Sequence, residues 1–324
     1  SFYTGGNATL DNGITVSGTV NYVNTSQQSP KSGASAFNDY FGGGGGSIYA
    51  RLFYLPRNFD LMGLPWENPA DGSNIFYRAL DNPIWISNNN FYKSDVNRAY
   101  GNLTVGYDIA DGINVTVKGG INSYHDAQRY NSVPGGISDA LGSVRTVDVN
   151  RTERDFTALL NINKDLTDDI TLTAVAGLNA NERRATFRSV TGNVVISRGL
   201  NITSATSTQI VDADYLELRR LVGVFADVQL GYKDMLYLGL VGRQDQSSTL
   251  PQGANSYFYP GASLSFLLSE AVELPEVINS LKLRISNTKV GNDASPYRTL
   301  TNFNIFNPFT SPIYGATNRA SLFN

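Results

Sequence analysis

Alternation with a period of two dominates this chain. In LTVGYDIADGINVTVKGGINSY, residues 103–124, one set of alternate positions holds Leu103, Val105, Tyr107, Ile109, Ile113, Val115, Val117 and Ile121. The other holds Thr104, Gly106, Asp108, Asn114, Thr116, Lys118, Gly120 and Asn122. Successive side chains of a strand point to opposite faces, so each half of the stretch is an amphipathic strand. Asp111-Gly112 between them suits a tight hairpin turn. The same pattern recurs at Ile170, Leu172, Ala174, Ala176 and Leu178, at Val222, Val224, Ala226, Val228 and Leu230, and at Leu281, Leu283 and Ile285. Helical periodicity is nearly absent, except that SIYARLFYLP predicts a short helix ended by Pro56.

Five strand pairs are expected, about ten antiparallel strands in all. They cover residues 2–10 with 14–25, 96–110 with 113–126, 144–164 with 170–188, 213–232 with 235–243, and 257–268 with 281–292. Their internal turns are mostly short. The connections between pairs are long: residues 26–95, 127–143, 189–212, 244–256, and 293 onward. Alternation alone leaves two readings open. A soluble β protein turns the apolar face inward, and a membrane barrel turns it outward to lipid. Short turns at one end and long loops at the other favour the barrel, with periplasmic turns and extracellular loops. Tyr22, Tyr107, Tyr232 and Tyr237 lie near strand ends and are candidates for an interfacial aromatic girdle.

Composition narrows the chemistry. The 324 residues include no Cys and one His, which excludes a disulfide framework and Cys- or His-rich metal sites. A net charge of -3 gives no electrostatic case for nucleic acid. No apolar run reaches the roughly 18 residues of a membrane helix. FGGGGGS at residues 41–47 lacks the Gly-Lys-Ser/Thr of a phosphate loop and reads as a flexible segment. DLTDD lacks the spacing of a calcium loop and reads as a turn, as do Asp212, Asp214 and Glu217. No carboxylate pair is spaced for acid–base work, so no catalytic, cofactor or metal residue is assigned. The 26–95 connection holds both tryptophans, and aromatic faces beside amides suit sugar rings or peptides. Trp66, Trp85, Tyr77, Tyr124, His125 and Tyr130 are the candidate ligand contacts near the mouth.

PRNFDLMGLPWENPADGSNIFYRALDNPIWISNNN, running into DVNRAYGNLTVGYDI, resembles the SusC/RagA family of TonB-dependent outer-membrane transporters. RQDQSSTLPQGANSYFYPGASLSFLLSE and LKLRISNTKVGND resemble later blocks of that family, in the same order. The resemblance implies the wall of a large, multi-pass barrel in a Gram-negative outer membrane. It implies a SusD-type lipoprotein as lid, TonB as energy source, and glycans or peptides as cargo. The family's plug and TonB box are not seen in residues 1–324, so the chain is expected to be part of the barrel domain of a longer protein. TonB would then be met through the missing N-terminal region. A non-transporting surface β protein and a passive porin are the alternatives.

Overall fold

The computed structural model describes residues 1–31, 48–53, 55–77, 80–272, 275, 278–299, 302–305 and 316–319. The glycine run at 41–47 lies outside them. Ten strands form one open antiparallel sheet in chain order. They are β1 (Phe2–Thr9), β2 (Ile14–Pro30), β3 (Phe91–Ala110), β4 (Ile113–Ser132), β5 (Ser143–Thr167), β6 (Ile170–Val195), β7 (Thr206–Tyr232), β8 (Leu236–Ser247), β9 (Ser256–Leu267) and β10 (Lys282–Thr288). Two four-residue strands, β11 (Asn302–Ile305) and β12 (Ala316–Arg319), pair separately. The expected helix is present as α1 (Ile48–Phe53), and α2 (Pro83–Asn89) joins it in the β2–β3 connection. Asn82 caps α2, accepting from the Ile84 N–H at 2.9 Å ahead of Pro83.

All ten expected strands appear, but the central ones run farther toward the long-loop end than their apolar alternation does. β5, β6 and β7 have 25, 26 and 27 residues. A strand tilted across a bilayer needs about 9–11. The added length carries Gln, Ser, Thr, Asn and charged residues, whose polarity reads as loop although the ladder continues. The connections shrink accordingly, to residues 133–142 between β4 and β5 and 196–205 between β6 and β7.

Register joins the apolar positions into one belt. Val16 pairs with Val105, Val105 with Val117 and Val117 with Ala158. Ala158 then pairs with Leu178, Leu178 with Val224, Leu238 with Leu264 and Leu264 with Ile285. The belt spans residues 113–121 on β4, 170–180 on β6 and 222–232 on β7. Its side chains are open to the surroundings: Leu103 is 54% exposed, Val224 52% and Ile285 71%. No second layer covers this face among the described residues, so the apolar side is the outside of the sheet. Tyr107 and Tyr232 sit at its short-turn border and Tyr22 at the other. Tyr237 falls on the opposite face, where the Lys282 ammonium lies 6.0 Å from its ring, and so leaves the expected girdle.

The opposite face is polar and internally bonded. Thr116 donates to Asn114 Oδ1 at 2.7 Å, and Asn179 donates to Thr157 Oγ1 at 2.9 Å. A small apolar patch interrupts it where Leu159 and Phe225 crowd Gly177. The short turns use left-handed backbone at Gly13, Gly112, Lys233 and Asp234. At Gly112 (φ 65°) the carbonyl accepts from the Asn163 N–H at 2.7 Å, and a Cβ would stand 2.0 Å from the Asn163 oxygen. Gly112→Ala is expected to cost about 1–3 kcal/mol in detergent-solubilised full-length protein, read from the denaturant midpoint. Gly119→Ala, with nothing within 4 Å of the new methyl, should leave the midpoint unchanged.

Candidate functional site

Above the belt, the polar face of β3 to β7 forms the inner wall of the long-loop end. Two rows of paired residues define it. One runs Arg98, Tyr124, Arg151, Ala185, Glu217. The next, toward the belt, runs Tyr100, Asn122, Glu153, Arg183, Arg219. The β4 to β7 members of these rows, with Pro296, line a cavity of about 420 Å³, and Arg98 and Tyr100 on β3 lie beside it. Arginines lie against tyrosines: Arg98 is 4.7 Å from the Tyr100 ring centre and Arg151 5.8 Å from that of Tyr124. Arg183 is held by Glu153 at 2.8 Å.

Arg219 grips Asp293 with two parallel bonds of 2.8 Å, from Nε and Nη2. Ser247 at 2.6 Å and Thr249 at 3.1 Å donate to the same carboxylate. This arrangement pins the segment after β10 onto β7 and β8. The Arg219 hydrogen bonds are the largest influence pulling the Asp293 pKa from 3.8 down to about 2, and Ser247 adds to them.

Nearer the loops, Tyr130 and Tyr92 meet with ring centres 4.7 Å apart, and Arg145 lies 5.8 Å from Tyr130. Arg145 donates to Ser189 at 2.9 Å, and Ser189 to Asp212 at 3.0 Å. Phe187 and Tyr215 stack at 5.3 Å on the same face. Tyr124 and Tyr130 are therefore inner-wall residues.

The other candidates are placed differently. His125 has the parity of Ile121, so it stands on the outward face, bonded to Asn150 at 2.7 Å. Trp85 is fully buried with Ile86 and Val133, and its indole N–H donates to the Gly72 carbonyl at 2.9 Å. It is the core of a loop cap rather than a contact surface. Trp66 packs against that core. Tyr77 joins Phe59 and Phe76 in an aromatic cluster. The cap unites three connections: Asp81 accepts from Ile137 and Ser138 N–H, and Arg198 donates to Glu67 and Asn89 at 2.8 Å.

Tyr92, Arg98, Arg145, Arg151, Phe187 and Tyr215 also lie on this inner wall and carry no signal in the sequence. Their strands lack apolar alternation there, and only the parity carried up from the belt assigns them to a face. Among the described residues, no group of three or more His, Asp or Glu side chains is placed to hold a metal ion.

No family model matches the chain. The TonB-dependent receptor P26 of Formosa agariphila is 30% identical to it over 171 residues, 48% of this chain and 16% of that receptor. The structure of the RagAB peptide transporter matches 98% of this chain and 35% of its own at a TM-score of 0.80 and 15% identity. The RagAB peptide importer in its closed-closed state matches 97% of the chain and 35% of its own at 0.78, also at 15% identity. At that identity the structural likeness is one of fold, and the chain spans a minor part of each of these proteins.

An open antiparallel wall with its apolar side outward has the fold of a β-barrel segment, as in RagAB. About half of the chain is also similar in sequence to a TonB-dependent receptor.

The Arg219–Asp293 clamp sets a pH response. Because the carboxyl pKa is lowered on folding, the clamp's contribution is complete above about pH 4 and is lost as pH falls through about 2. Asp293→Asn should therefore cost about 2 kcal/mol of local stability at pH 7. Hydrogen exchange in residues 289–299 should rise in the variant, with the difference constant down to pH 4 and fading near pH 2.

Proposed function

We propose that the chain is wall of a TonB-dependent transporter in a Gram-negative outer membrane, importing glycans or peptides with a SusD-type surface lipoprotein. The observation that carries this reading is the belt. Apolar alternation stops after the length that crosses a bilayer, although the strands run on, and the belt lies on the open face. The short turns then face the periplasm, and the long connections with their packed cap form the outer mouth. The sheet is open at β1 and β10. Unpaired backbone at an edge is prohibitive in hydrocarbon, so further strands complete the wall.

The inner wall binds; it does no chemistry. Tyr124, Tyr92 and Tyr130 supply flat faces, and the neighbouring arginines, Asn122 and Gln128 supply hydrogen bonds. Net import requires cargo affinity to differ between an outward-open state and a releasing state. A plug domain coupled to TonB would provide that switch, and the cap surface would meet the lipoprotein lid. RagAB is a peptide transporter, which favours a cargo of oligomers over single ions.

Two measurements test the reading. Val117→Arg, at the middle of the belt, should impair insertion by roughly 2–4 kcal/mol, read as loss of folded full-length protein from the outer-membrane fraction. Thr116→Arg, on the inner face, should insert normally, and equal behaviour at both sites would mean the faces are reversed. Cells expressing the full-length protein should accumulate fluorescent oligosaccharide or peptide pools only while a proton gradient is present. Tyr124→Ala should lower that accumulation about tenfold. Uptake that survives a protonophore would indicate a passive porin, and no uptake of either pool a non-transporting surface protein.

A further inference from the structure

At the upper border of the belt the outward face turns cationic. Arg154 on β5, Glu182 on β6 and Arg220 on β7 form one cross-strand row. Directly below it lies the row Phe156, Ala180, Val222, the first of the belt on these strands. Glu182 accepts from Arg154 Nη1 at 2.9 Å and from Arg220 Nε at 2.7 Å. Arg184 stands on the same face in the row above, between Thr152 and Leu218, and no carboxylate shares that row. Three guanidiniums thus gather around one carboxylate. The Arg154 and Arg220 side chains are each 63% exposed, and Glu182 is 24% exposed. The next acidic residues on this face of β5 to β7, Asp148 and Asp214, lie in one row with Arg188, and Arg188 is bonded to Asp214 at 3.2 Å. That row is six residues farther along the strand, about 20 Å away.

We propose that Arg154, Arg184 and Arg220 bind the phosphate groups of lipid headgroups in the outer leaflet. The proposal rests on the membrane-barrel reading, which puts this row at headgroup height. Arginine presents a planar fork of five N–H donors that matches phosphate geometry. Arg154 and Arg220 each spend one donor on Glu182, which orients both forks and leaves the other donors facing outward. Arg184 has no protein partner among the described residues. The aliphatic stems lie over the top of the belt while the charged heads reach the aqueous border. A purely structural ion pair needs one arginine per carboxylate, and this cluster has two cations in excess.

The test uses the full-length protein purified in detergent, stripped of lipid, and titrated with a phosphate-bearing lipid and a phosphate-free lipid with the same acyl chains. Native mass spectrometry reads occupancy. Arg184→Gln removes a side chain with no protein partner, and its affinity for the phosphate lipid should fall about fivefold. The Arg154→Gln/Arg184→Gln/Arg220→Gln protein should lose about a hundredfold, and Arg188→Gln nothing. Replacing all three by Lys should restore part of the loss, since charge returns without the fork. A heat-modifiability gel confirms that each variant is folded. Equal binding of the two lipids, or wild-type binding by the folded triple variant, would overturn the headgroup site while leaving the barrel intact. Saturation of the arginines by inorganic phosphate at the lipid's own affinity would likewise overturn it. Wild-type protein that stays soluble without detergent would instead overturn the membrane reading beneath it.

Discussion

Strand register is the constraint on which the rest of this molecule depends. Side chains alternate with a period of two, so a one-residue slip at any ladder would exchange the two faces of every strand beyond it. From β1 to β10 no slip occurs within the belt among the described pairs. The register shifts fall at Asp108/Ala110, Asp165/Thr167 and Ser189/Val190, two beside short turns and one near the loop end. Tight turns set the starting points of the β1–β2 and β3–β4 ladders, and Gly112 holds its turn against β5. The outcome is a continuous apolar surface opposite a continuous polar one, with no layer over the apolar side.

The same parity organises everything above the belt, where the strands have left any need for apolar side chains. Inward positions hold Tyr, Arg, Asn and Glu in bonded rows, and outward positions hold Asn, Ser, His and the Arg154–Glu182–Arg220 ladder. The backbone ladder supports both, since its hydrogen bonds do not depend on burial. The long connections gain rigidity differently, from a small apolar core. Trp85, Ile86 and Val133 are buried there, and Asp81 and Asn82 are satisfied by backbone partners at full burial.

The fold was legible because alternation is a direct image of a two-faced sheet. Residues 103–124 alone contain two strands, their turn and both faces. Membrane side against core side was not legible from that stretch, because alternation is symmetrical to the exchange of inside and outside. Only the contrast of short turns with long connections broke the symmetry. Strand ends were misjudged where QSP, YKSD or DAQRYNS continue a ladder on polar residues alone. Among the candidate contacts, Tyr124 and Tyr130 fall on the inner wall and His125 on the outer, a distinction that rests on one residue of parity. The chemistry of Trp85 fits a ligand contact, but chemistry does not reveal burial. A tryptophan suits a sugar face and a loop core equally well.

The two arginine populations above the belt show how one sheet separates two tasks. On the inner face each arginine is offset by a carboxylate or laid on a tyrosine, so the wall carries polarity without a strong field of one sign. The proposed transport function would benefit from that balance, because a deep electrostatic well would hold charged cargo and slow its release. On the outer face the balance is abandoned at the border of the belt. Arg154, Arg184 and Arg220 outnumber Glu182 where the belt ends, and the next row of charges is paired again by Arg188 and Asp214. In the proposed transporter a charge excess at the apolar border would have no role in binding cargo, which would travel on the other face. Its position is set by what adjoins the belt, and in a bilayer that neighbour is the headgroup layer.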